Sequence, residues 1–212
     1  MSKICFVDND ILLKLVASNL FDEAISSLDI NFSDVRILFT ASKVFAKNSK
    51  IKSQYSDIAR SKAVKIAKKC ATISRISISQ DNLNDLEFLQ KSNNIDPGES
   101  LLVTAALGES SFFLTTGDKK FLKAMKNNSD LHKFYQQIKG KVICLEQIID
   151  LLIRMEGFEK VLNKILPVLE CDQSLKACFG SGKKSEQQIV LENLDYRIQN
   201  LQKETGEILA KL

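Results

Sequence analysis

Three acidic residues in this sequence stand where elements begin or end. Asp8 follows the opening apolar run Ile4-Cys5-Phe6-Val7, and Asp118 closes Phe112-Phe113-Leu114-Thr115-Thr116-Gly117. Glu99 falls in the first turn of a helix whose N-cap is Asp96 and whose first residue is Pro97. In a doubly wound sheet, ligands bind beyond the carboxyl ends of the parallel strands. If the strands ending near Asp8 and Asp118 are neighbours, the three carboxylates converge on one rim. Oxygen donors gathered without histidine or cysteine suit hard divalent cations, Mg2+ or Mn2+. Such ions neutralise charge on a phosphodiester and make water more acidic, the chemistry of metal-dependent nucleases. Taken singly, each acid is as readily a cap or turn residue. Their order along the chain makes them a set.

The elements that must position them are legible in the pattern. Residues 4–7 and 35–40 are short apolar, β-branched or aromatic runs with strand character, as are 112–116 and 141–145. Helical spacing lies between them, with apolar residues at 11, 12, 15, 16 and 20 and a second helix near 22–28. Residues 73–79 alternate at period two and read as a short strand or edge segment. Alternation of strand and helix at this length predicts an α/β domain. Beyond Gly157 no strand pattern recurs, and helices are predicted over 158–169 and 172–179. The chain is expected to divide into an α/β unit, residues 1–155, and a helical extension, 156–212.

At 212 residues and 44% hydrophobic content the chain can bury a full core. Its formal charge of +4 hides an asymmetry, because residues 43–75 hold ten lysines and arginines against one acid, Asp57. On the helix expected over 57–70, Lys62, Lys65 and Lys69 share a face. Such a surplus fits either a solvated face or a surface that tracks phosphates. The five cysteines form no CxxC pair, and the lone His132 gives a zinc site little to draw on. The pattern predicts reduced thiols and a cytoplasmic protein with no membrane contact, since every apolar run is interrupted by a polar residue.

Val7-Asp8-Asn9-Asp10 after an opening strand, Asp96-Pro97-Gly98-Glu99 before an alanine-rich helix, and Leu114-Thr115-Thr116-Gly117-Asp118-Lys119-Lys120-Phe121 together resemble the PIN domain. Its members include the toxin ribonucleases of bacterial toxin–antitoxin pairs. The resemblance covers about residues 3–146. It implies a three-layer sandwich around a central, mainly parallel sheet, with Asp8, Glu99 and Asp118 binding Mg2+ or Mn2+ and Asp10 a secondary ligand. It further implies an endoribonuclease acting on RNA, with single-stranded DNA the second choice; on that reading the basic surplus supplies backbone contacts at Lys43, Lys47, Lys62, Lys65 and Lys69, with Lys119 and Lys120 beside Asp118. One departure stands out. PIN nucleases usually carry another acid, most often glutamate, in the helix after the second strand, where this chain has Ser42-Lys43-Val44-Phe45-Ala46-Lys47. Asp10 or Asp96 is the available substitute.

Two other functions compete. A PIN-like scaffold without activity would act as an RNA- or protein-binding module. Asp8-Asn9-Asp10 with Gly117-Asp118 also resembles haloacid-dehalogenase-like phosphatases, but the second late acid of that family falls on Leu122, and Glu99 would have no role. At the C-terminus, Leu191, Leu194, Ile198, Leu201, Thr205, Ile208 and Leu212 alternate three and four apart, a heptad seam. The seam, within 186–212, predicts a homo-oligomer or a helical protein partner, against the alternative that it folds back on the chain's own helices.

Overall fold

The computed structural model describes residues 3–212. Five parallel strands form its sheet: β1 (Ile4–Val7), β2 (Val35–Leu38), β3 (Ala71–Ile73), β4 (Phe112–Thr115) and β5 (Val142–Ile143), in spatial order β3-β2-β1-β4-β5. β1 is central. From it the chain steps outward through β2 to β3, then returns to β1's other side with β4 and continues to β5. The order therefore reverses between β1 and β4.

Strand alternation sends side chains to two apolar layers. Cys5 and Val7 of β1 with Val35 and Ile37 of β2 face one layer. Its helices include α1 (Asn9–Ala17), α2 (Phe21–Ser27), α5 (Asp57–Ala67), α10 (Leu145–Glu156), α11 (Phe158–Leu169) and α12 (Gln173–Cys178). Phe6, Leu38, Leu114 and Val142 face the other layer, with α6 (Leu83–Lys91), α7 (Pro97–Leu107), α8 (Lys119–Asn127) and α9 (His132–Ile138). The molecule is an α/β sandwich with helices on both faces of an all-parallel sheet. The helices beyond Gly157 share the first layer's core with β1, α1 and α2.

The basic stretch from 41 to 70 forms three helices, the last of which begins at Asp57, where the helix over 57–70 was expected to begin. These are α3 (Ala41–Lys47), α4 (Ser49–Gln54) and α5. The breaks fall at side-chain caps: Asn48 accepts from the Ile51 amide, and Ser56 from the Ala59 amide. The alternating residues 73–79 contribute only Ile73 to β3, then turn through a 3-10 segment, Arg75–Ser77.

The C-terminal seam packs largely within the chain, with Leu212 at its end left exposed. On α13 (Gln187–Thr205), Val190 and Leu194 enter the first layer, while Leu201 enters the second, where Ile208 joins it. Gly206 then turns the chain at φ +64, where a Cβ would collide with Tyr135 Oη. The Val142 amide donates to Ile208 O at 3.2 Å, and the Ala210 amide to Val142 O at 2.7 Å, which covers the β5 edge. Heptad spacing serves an internal face as well as an external one, and here Leu194, Leu201, Thr205 and Ile208 are buried against the chain's own helices. Among the described residues, no helix is long and apolar enough to cross a membrane.

Candidate functional site: a carboxylate cleft at the strand-order reversal

The carboxyl ends of β1 and β4 open into a cleft of about 560 Å³. Asp8, Asn9 and Asp10 from the start of α1, Asp96 and Glu99 from the start of α7, and Asp118 from the start of α8 line one side. Thr40, Asn48, Lys50, Gln54 and Tyr55, from the α3–α4 region, line the other. This is the location that a reversal in strand order creates for a ligand.

Each acid is held by local chemistry. The Asp8 amide donates to Thr115 O at 3.0 Å, extending the β1–β4 pairing one residue into the cleft. Asp8 occupies the N-cap of α1, yet its carboxylate makes no capping bond. Asp96 and Glu99 form a capping box, Asp96 Oδ1 accepting from the Glu99 amide at 2.7 Å and Glu99 Oε2 from the Asp96 amide at 2.8 Å. A cap of this kind stabilises its helix by about 1 kcal/mol. Gly98 lets that first turn approach β2, since a Cβ there would stand 2.9 Å from Leu38 Cδ1. Asp118 Oδ1 accepts from the amides of Lys120 at 2.7 Å and Phe121 at 2.9 Å. Among the described residues, the second oxygens of Asp96, Glu99 and Asp118 make no hydrogen bond, so three carboxylates are anchored by one oxygen each.

The electrostatics follow from crowding. Burial, then the charges of Asp10, Asp96 and Asp118, raise the Asp8 pKa to about 7. Burial, then Asp96, Asp118 and Asp8, raise that of Glu99, which is 7% exposed, to about 8. Two groups that share protons near neutrality can exchange them with a base or yield them to a cation.

The residues fit a hard cation by donor type. All five acids supply oxygen, and Asn9 Oδ1, in the cleft wall, is buried with no hydrogen-bond partner among the described residues. They do not form a closed cage: among the described residues no three histidine, cysteine or acidic side chains are grouped so as to hold a metal as they stand. The capping bonds explain this, because Glu99 is folded back on the Asp96 amide and Asp118 on the start of α8.

The structure thus brings Asp8, Glu99 and Asp118 to one cleft, with Asp10 and Asp96 beside them. It does not bring the seven lysines there. Lys62 and Lys65 line a separate hollow beside Asn19 and Glu23, and Lys119 donates to Glu146 Oε1 at 3.1 Å. Lys43, Lys47, Lys69 and Lys120 are exposed outside the cleft wall. The cation on that wall is Lys50, which the composition counts but no motif marks; the nearby cap residue Asn48 was the available signal. Tyr55 and Thr40 have no signature of their own. No family model matches the chain, and neither comparison with curated proteins nor comparison with solved structures finds a match.

Proposed function

We propose that the protein is a divalent-cation-dependent nuclease, PIN-like in character, whose substrate is RNA. The observation that carries this reading is the gathering of five carboxylates in one open cleft at the strand-order reversal, with Asp8 and Glu99 holding protons near neutral pH. Mg2+ or Mn2+ held by Asp8, Glu99 and Asp118 supplies charge neutralisation at a phosphodiester and a more acidic water. Asp10 and Asp96 stand in for the acid missing from α3. Lys50 meets substrate phosphate from the opposite wall, where the Thr40 hydroxyl and the Asn48 amide offer hydrogen bonds to the backbone. Glu99, anchored through one oxygen, keeps the other for a proton or a cation.

A second reading has its own support. Asp96, Glu99 and Asp118 are engaged in caps, and among the described residues the acids are not grouped as a metal cage, which is compatible with a scaffold that binds RNA through the basic α3–α5 surface without cleaving it. Incubation with mixed RNA in Mg2+ or Mn2+ separates the two. Cleavage by the wild type that drops by more than about 100-fold in both Asp8→Asn and Asp118→Asn is the expected result. Cleavage persisting in both variants refutes the site. Salt-sensitive binding with no cleavage under either metal establishes the second reading.

A further inference from the structure

The C-terminal helices reach two of the helices that carry the cleft's acids through one short segment, residues 172–174. Lys14, in the second turn of α1, is 8% exposed, and its Nζ donates to Asp10 Oδ2 at 2.5 Å and to Asp172 Oδ2 at 2.6 Å. Asp172 also caps α12, its Oδ1 accepting from the Leu175 amide at 2.8 Å. Two residues on, Ser174 Oγ donates to Glu146 Oε1 at 2.5 Å, the oxygen that Lys119 also holds, and accepts from Arg197 at 3.2 Å. Lys119 directly follows Asp118. The segment therefore touches the helix that carries Asp10 and the helix that Asp118 begins.

A buried ammonium needs a counter-charge, and leaving it with none is strongly unfavourable. Lys14 has two, and they differ. The Asp172 side chain is 11% exposed, with its second oxygen used in the α12 cap. The Asp10 side chain is 51% exposed and lines the carboxylate cleft. Asp10 is the partner free to turn; Asp172 is the one that stays. Building on the cation site above, we propose that Asp172 is a positioning residue that holds the charge of Lys14, so that Asp10 can join the oxygen donors of the cleft when a divalent cation enters. The helical extension is then part of the site's function, although none of its residues lines the cleft.

The exchange can be followed without turnover by reading free Mn2+ with electron paramagnetic resonance during titration. Asp172→Asn is the informative change, because asparagine is an equally good N-cap and preserves α12 while removing the charge. Asp10 then becomes the sole counter-charge of Lys14, and Mn2+ affinity falls about tenfold, the scale of one hydrogen bond to a charged group. In Lys14→Met no ammonium competes for Asp10, so adding Asp172→Asn has no further effect. Asp10→Asn weakens Mn2+ binding by a similar factor and supplies a second variant should Asp172→Asn fail to fold. Asp172→Asn that binds as the wild type does, an equal loss with and without Lys14, or Asp10→Asn with no effect each overturns the proposal while leaving the cation site standing. Wild-type protein that binds no Mn2+ overturns both.

Discussion

Buried acids are treated in two ways on the two sides of this site. In the cleft, Asp8 and Glu99 face other carboxylates, none of the described ion pairs reaches them, and their pKa values rise to about 7 and about 8. Close by, Asp172 and Glu146 are also enclosed, yet both are held below the ordinary carboxylate range. Burial pushes all four upward. For Asp172 the ammonium of Lys14 outweighs it; for Glu146 the Ser174 hydroxyl and the Lys119 ammonium do. The partner, and not the depth, sets the sign. The fold supplies lysines to one pair of acids and like charges to the other, the arrangement expected of a site that awaits a ligand. On the proposed reading, a divalent cation from solution is the partner that would complete it.

Removing a lysine from the paired side tests the pairing through stability. Lys119→Met leaves Glu146 buried with only the Ser174 hydroxyl, and the loss should be about 2 kcal/mol, below the value for a fully buried pair because Lys119 is partly exposed. Urea unfolding measures it, and an unchanged midpoint would mean that the pairing does not matter.

The pH dependence has opposite signs on the two sides. Asp8 and Glu99 have folded-state pKa values above their unfolded values of about 3.9 and 4.3. The stability they contribute is complete below those unfolded values and is lost as pH rises through about 7 and 8. Asp172 and Glu146 have depressed values, so their contribution is present above about pH 4 and lost on acidification. In metal-free buffer, Asp8→Asn/Glu99→Gln should flatten the decline between about pH 5 and pH 8 and raise Tm at the upper end by more than roughly 5 °C. A double variant that melts below the wild type at the upper pH would remove the repulsion from the account.

Local chemistry was legible in the sequence, and long-range pairing was not. The Asp96–Pro97–Glu99 start of α7, the strand ends at Asp8 and Asp118, and the alternation of strand and helix are each written within a few residues. The parallel sheet that joins them follows from that alternation. Lys14 and Asp172 lie 158 residues apart, and nothing near either announces the other. Lys119 reads as a phosphate contact until Glu146 is seen beside it. The α13 seam carried the right spacing for burial but no mark of which surface would cover it. The start of α5 at Asp57 was legible, whereas the break between α3 and α4 at the Asn48 cap was obscured by the helical pattern on either side of it.

The most direct test is calorimetric titration of Mn2+ near pH 7 in two buffers of different ionisation enthalpy, which counts the protons released on binding. About one proton should be released per cation bound, because a cation held by Asp8 and Glu99 displaces the protons they carry. Asp8→Asn and Glu99→Gln should each weaken binding and reduce that release. Absence of binding, or binding that releases no proton and survives both changes, would contradict the proposed site.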